Sequence, residues 1–288
     1  MTHVLILVPD PAYPEPWAWA FHVEAEALRK AGFQVSARPW TAPGDLAPFA
    51  AVLPLVVWGY HERYKEWLAL LDRLESTVRV INPPALLRWN SDKAYLAELD
   101  AKGVPTVHTM TVEALDEHVL AEARERFGCE QLVVKPPVSA SATGTFRLRA
   151  GDGVPAEAAG RPMLVQPFMA SIADHGEYSV MLFTGRFSHA ILKTPRSGDF
   201  RVQPHLGGTE KPCEAPAGAI DLAKAALAAA PAEAAYARVD MVTDGQGDLR
   251  IMELELIEPA LWLQHAPDEG AAFASALRRA IEQPLAQG

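Results

Sequence analysis

Residues 4–8, Val4-Leu5-Ile6-Leu7-Val8, are apolar without interruption, the pattern of a short strand buried on both faces. A helical pattern follows over 18–31 and stops at Gly32, a residue suited to the left-handed turn that closes a helix. A second apolar run at 52–58, a helical stretch at 65–74 and a third run at 78–81 continue the alternation. Strand and helix alternating through short links predict a parallel α/β lobe. No GxGxxG follows the first strand and no GxxxxGKS/T occurs in the chain, so neither of those phosphate loops is present.

After Asn82-Pro83-Pro84 the texture changes. A helix is predicted over 91–102, closed by Gly103, then an extended stretch at 105–112, a helix near 116–127 and a strand at 131–135. From Met163 onward hairpins dominate: 177–183 with 186–192 across Thr184-Gly185, and 236–242 with 249–257 across Asp244-Gly245-Gln246-Gly247. Helices near 219–230 and 269–282 complete an α+β region. The pattern divides the chain into an α/β unit at 1–84, a small unit at 85–162 and a larger one at 163–288. No internal repeat is visible.

Composition narrows the function. A chain of 288 residues has room for two or three lobes with ample core. Hydrophobic residues at 49% and charged residues at 22% exclude a disordered chain. The formal net charge of -10, with no Lys/Arg run, argues against a nucleic-acid partner, because no cationic surplus exists to neutralise phosphates. An anionic small ligand would need locally placed cations or metal ions. Cys129 and Cys213 lie far apart outside any CxxC spacing and read as reduced thiols. The N-terminal apolar run is short and lacks a basic leader, and no stretch reaches membrane-span length. A cytoplasmic protein with no membrane partner is the expectation.

Four places carry chemistry. If Asn90 or Ser91 caps the helix at 91–102, Lys93 falls in its first turn, where the helix dipole disfavours a cation unless an anion is near. Taken singly, a solvated lysine explains it as well. Lys135 ends an apolar strand ahead of Pro136-Pro137, and residues 138–145 form a small-residue loop whose N–H groups can approach an anion. A plain flexible turn is the alternative. In the run 250–259, strand alternation puts Glu253 and Glu255 on one face and Met252, Leu254 and Leu256 on the other. Asp240 on the partner strand adds a third oxygen donor, a set suited to Mg²⁺, with a solvated acidic face as the alternative. The connection 193–208 gathers Lys193, Arg196 and Arg201 among Gly and Pro. Arginine is shaped for bidentate contact with carboxylate or phosphate, although an exposed basic loop reads the same way.

In this order the pieces resemble the ATP-grasp superfamily, in its glutathione-synthetase-like and ribosomal-modification-ligase-like branch. The residues that carry the resemblance are Lys93, Lys135 with Ser139 to Gly144, Val165-Gln166-Pro167-Phe168, Phe200-Arg201-Val202-Gln203 with Gly207-Gly208, and Asp240 with Glu253-Leu254-Glu255. Each motif is weak alone; five in the right order are specific. The resemblance implies an ATP-grasp fold behind a leading α/β lobe, with ATP as cofactor and two Mg²⁺ ions, Mn²⁺ being an alternative occupant. Lys93 and Lys135 would contact the phosphates while the loop with Ser139, Ser141 and Gly144 closes over them as a lid. Gln166, Pro167 and Phe168 would form the adenine hinge and Glu177 would hold the ribose. Asp240, Glu253 and Glu255 would bind metal, and Arg201 with Lys193 would serve the transferred phosphoryl group. The implied substrate is a small amino-acid-like carboxylate, activated as an acyl-phosphate and captured by an amine. The resemblance is compatible with a homo-oligomer, though no interface motif marks one.

Two positions depart from the family pattern: Glu255 and Gln203 each stand where Asn is usual. The run from Met252 to Pro259 is more similar to the subgroup containing D-cycloserine synthetase, the O-ureidoserine cyclo-ligase. There nucleophile and activated carboxylate belong to one molecule and ring closure exploits their proximity. An ATP-dependent phosphotransferase and a non-catalytic nucleotide-binding module are the competing functions on the same fold. Trp17, Trp19, Trp58, Tyr60, Tyr64 and Trp67 would line a substrate pocket or simply pack the core. His61 and Glu62, at a strand end, and Glu258, His205 and Gln264 are further substrate candidates.

Overall fold

A computed structural model of the chain describes residues 1–283, and the side chain of His205 lies outside the described residues. The first lobe is built from β1 (His3–Val8), α1 (Ala18–Lys30), β2 (Gln34–Pro39), β3 (Ala51–Leu53) and α2 (Tyr64–Glu75). Its strands are parallel in the order β2-β1-β3. The uninterrupted apolar run of β1 has the expected cause. Val4, Ile6 and Val8 pack with Ala25 and Leu28 of α1, while Leu5 and Leu7 pack with Trp67 and Leu71 of α2. The predicted strand at 52–58 ends at Leu53, because Pro54 turns the chain out of the sheet. Residues 54–61 instead form buried turns that carry Trp58, Tyr60 and His61 past the carboxyl end of β3. The run at 78–81 gives a single bridge, Val80 to Val52.

The helix expected at 91–102 forms over a shorter span as α4 (Tyr95–Ala101), and a separate helix that the pattern does not predict, α3 (Pro84–Asn90), precedes it. Pro84 starts α3 early, at the position where a missing N–H loses nothing. The Asp92 carboxylate then accepts the Ala94 N–H at 2.9 Å and holds a turn between them. Lys93 therefore sits in that turn, not in the first turn of a helix. The next elements are β4 (Met110–Val112), α5 (Glu117–Phe127), β5 (Leu132–Lys135), β6 (Phe146–Leu148) and β7 (Met163–Pro167). They form an antiparallel sheet in the order β4-β7-β5-β6, with α5 packed on one face. Since β7 pairs with β4 and β5, this sheet runs past position 162, where the hydrophobic pattern divides the chain.

The remaining elements are α6 (Ile172–His175), β8 (Glu177–Phe183), β9 (Arg186–Thr194), β10 (Thr209–Cys213), α7 (Ala219–Ala228), β11 (Tyr236–Thr243), β12 (Leu249–Glu255) and α8 (Ala271–Glu282). Both expected hairpins form. The β8–β9 turn places Thr184 and Gly185 at φ of 49° and 69°, the doubly left-handed geometry that matches strand twist. The sheet order is β10-β9-β8-β11-β12. Val180, Leu182, Ala237 and Val239 point to α7 and α4 and form one core. Residues at the alternate positions, Ser179, Arg238 and Asp240 among them, face the other way, toward a cavity.

Candidate active site

The cavity occupies about 690 Å³ where the two antiparallel sheets and the first lobe meet. Its floor comes from β11 and β12, where Arg238 lies opposite Glu255 and Asp240 opposite Glu253. A bulge in this pairing lets Met252 line the cavity beside Glu253, so the strict alternation expected for Met252 fails at that residue. β12 is an edge strand, and side chains satisfy its outer edge. Asn90 donates to the Leu254 carbonyl at 2.9 Å and accepts the Leu256 N–H at 3.0 Å. The Tyr95 hydroxyl accepts the Leu254 N–H at 2.8 Å. An otherwise open edge is thereby paired, and the two glutamates are held at fixed positions.

Charges on the floor are interlocked. Asp240 accepts from Ser179 at 2.6 Å, from Lys193 at 2.8 Å and from Arg238 at 3.0 Å. Arg238 also bonds Glu255, and Lys193 also bonds Glu177. Burial opposes the Asp240 charge, but Arg238 and Lys193 outweigh it and hold the carboxyl well below its ordinary range. Lys93 pairs with Glu253 at 2.7 Å and donates to the Ser139 carbonyl at 2.7 Å. Burial works against its charge too, yet Glu253 keeps the ammonium above its usual value. Lys135 is the exception. Burial lowers it, and it has no ion pair among the described residues. Burial pushes Glu255 up to about 7 despite Arg238, and pushes Glu258 up to about 8 with help from the Glu255 charge.

Lys135 ends β5 on one wall, next to the loop that carries Ser139 and Ser141 into the cavity. Gly144 does not line it, although the adjacent Thr145 does. Gly144 has φ +68°, and a Cβ there would sit 2.9 Å from Pro136, so the loop requires glycine. Ser141 and Ala142 also have positive φ, at 52° and 59°, a strain that non-glycine residues seldom carry outside functional loops. Gln166, Pro167 and Phe168 continue the same wall on the neighbouring β7 and just beyond it, with Gln166 donating to Thr109 at 2.9 Å and Phe168 against Phe200 at 5.8 Å. Arg201 reaches the cavity from its loop, but its guanidinium is engaged by Asp199 at 3.0 Å. The residue the sequence reading passed over is Arg238. Its position two before Asp240, and so on the same face of β11, is the signal the sequence carries.

Asp240, Glu253 and Glu255 are hard oxygen donors on one floor, the chemistry that a divalent cation such as Mg²⁺ requires. Lysine and arginine occupy their oxygens here, and among the described residues no three His, Cys, Asp or Glu side chains converge as a metal site. The donor set fits the ion by type.

Comparison with known proteins gives this geometry its family. Residues 7–82 match the family model described as D-cycloserine synthetase DcsG, N-terminal domain. The cycloserine biosynthesis protein DcsG of Streptomyces lavendulae is 32% identical over 276 residues, covering 89% of this chain and 92% of that protein. The chain belongs to the D-cycloserine synthetase family. The crystal structure of D-cycloserine synthetase DcsG superposes with a TM-score of 0.82 at 30% identity, covering 97% of this chain and 100% of that one. The ATP-grasp ligase PsnB, solved with minimal precursor, Mg and ADP, has the same fold at TM-score 0.66 and 16% identity, covering 98% of each chain. The chain's family is therefore one of synthetases, and the fold it shares with PsnB is that of the ATP-grasp ligases. Among the described residues no helix is long and apolar enough to cross a membrane.

Proposed function

We propose that the enzyme is an ATP- and Mg²⁺-dependent carboxylate–amine ligase that acts through an acyl-phosphate on a small amino-acid-like substrate, and that it closes a ring within one molecule as a D-cycloserine synthetase does. The observation that carries this reading is one cavity that holds Lys93, Lys135 and Arg238 beside Asp240, Glu253 and Glu255, with a small-residue loop at its rim. A substrate carboxylate oxygen attacks the γ-phosphorus, ADP leaves, and the amine nitrogen then attacks the acyl carbon, loses its proton and expels phosphate. Lys93 and Lys135 bind the phosphates, the loop with Ser139 and Ser141 excludes water, and Gln166 to Phe168 seat the adenine. Glu177 holds the ribose once Lys193 turns to phosphate. Arg201 and Lys193, joined by Arg238, neutralise charge on the transferred phosphoryl group. Asp240, Glu253 and Glu255 hold Mg²⁺, which supplies further neutralisation of phosphate charge. Its place of action is the cytoplasm. ADP release with Mg²⁺-ATP across amino acids, short peptides and O-ureido-D-serine, with mass analysis of products, tests the reading. A cyclised or amide product with ADP supports it; ADP with a phosphorylated end product and no new C–N bond overturns it.

A further inference from the structure

The two ends of the cavity differ in chemistry. Near the hinge and loop, Lys93, Lys135 and Arg201 supply cations. Against the first lobe, the carboxylates are Glu15, Glu210 and Glu258, and the walls include the rings of Trp58, Tyr60 and Trp262. A cation, Arg238, lies close by, with its guanidinium over the Trp262 ring at 5.1 Å. These rings are fixed. Trp58 packs on Trp19 at 5.7 Å and on Tyr13 at 6.3 Å, and the Trp262 indole donates to Glu210 at 2.9 Å. Gly59 lets the Tyr13 ring come within 3.1 Å of where a Cβ would stand, closing that corner.

Glu258 has no hydrogen bond and no ion pair among the described residues, whereas Asp240, Glu253 and Glu255 each have a cation. Nδ1 of the cavity-lining His61 is buried without a hydrogen-bond partner among the described residues. Glu258 is half-buried and faces the open cavity, so its carboxylate is available to a cationic group of a bound ligand. A divalent metal is a poor candidate here, because indole walls offer no oxygen donors and no group of three His, Cys, Asp or Glu among the described residues is placed to hold one. An ammonium group fits both features: it pairs with the carboxylate and is attracted to ring faces.

We propose that Glu258, in the cavity that Trp58, Tyr60 and Trp262 also line, binds the protonated amino group of the substrate, so that the enzyme selects a free amino acid over an N-acylated one. This rests on the ligase reading for the carboxylate that is activated, but the subsite can be tested by binding alone. The probes are O-ureido-D-serine and its N-acetyl derivative, followed by tryptophan fluorescence and calorimetry in the whole protein, alongside ADP release. Wild type is expected to bind the free amine about 10- to 100-fold more tightly than the acetylated form, the range for one charged hydrogen bond. Glu258→Gln, which keeps shape, should lose that preference while its ATP affinity stays within about two-fold. Glu258→Asp should recover part of it.

Equal binding of both probes, no binding of either, or a Glu258→Gln variant that still prefers the free amine overturns the subsite. Ammonium-dependent binding with no ADP release from any carboxylate supports the subsite and overturns the ligase reading instead. Parallel loss of ATP affinity in both Glu258 variants would mark a structural role and overturn the subsite as well.

Discussion

The hydroxyl of Tyr95 accepts the Leu254 N–H at 2.8 Å and returns a hydrogen bond to the Leu254 carbonyl at 3.1 Å. One helix side chain thus does for β12 what a neighbouring strand would do, at the residue between Glu253 and Glu255. Tyr95→Phe leaves the Leu254 N–H without its partner in a buried place. The expected loss is about 1–3 kcal/mol in denaturant unfolding, together with a weaker Mg²⁺ response, because the flanking glutamates lose their fixed spacing. Unchanged stability would show that the edge is satisfied otherwise.

Lys135 is a buried cation without an ion pair among the described residues, and burial has already lowered it. A charge in that state costs the nucleotide-free protein stability and is useful only when phosphate arrives. Lys135→Met should therefore raise the thermal midpoint of the free protein, by about 2–4 °C if about 1 kcal/mol is recovered. It should abolish the further rise that ATP gives wild type. Thermal scans with and without ATP check both halves.

The two floor glutamates should not respond alike. Glu253→Gln removes the partner of Lys93 and should cut ADP release by about 100-fold or more. Glu255→Asn installs the residue usual in the wider family and frees Arg238 from one of its two carboxylates. Turnover should persist within about ten-fold, with a higher Mg²⁺ requirement, since one anionic ligand is lost. Magnesium titration of ADP release in both variants is the measurement.

Glu24 on α1 is 3% exposed, and its Oε2 has no partner among the described residues. Burial, and then the Glu258 charge, hold it well above 4.5. The sign follows from linkage. A carboxyl raised in the folded state binds more protons there than in the unfolded chain, so it removes stability as pH rises above 4.5. Glu24→Gln should be near neutral at pH 4.5 and stabilising at pH 8, on the order of 1–3 kcal/mol. Denaturant midpoints at the two pH values decide it.

Local pattern carried much of this protein into view. The apolar run of β1, the Thr184-Gly185 hairpin and the spaced motifs around Lys93, Lys135, Gln166 and Asp240 each depend on residues a few positions apart, which is what a sequence displays. Strand periodicity likewise set Glu253 and Glu255 on one face. Tertiary structure alone decided the rest, because the deciding partners are distant in the chain. Asn90 and Tyr95 pair an edge strand some 160 residues away, and side chains that imitate a strand leave no periodic trace. Arg238 joins Asp240 to Glu255, and Lys193 joins Asp240 to Glu177, only because β8, β9, β11 and β12 lie side by side. Trp58 and Trp262 come from distant parts of the chain to line the same cavity as Glu258. Each short element's residues are legible locally; burial and long-range register decide which charges find partners and which, such as Lys135 and Glu258, face the cavity without an ion pair among the described residues.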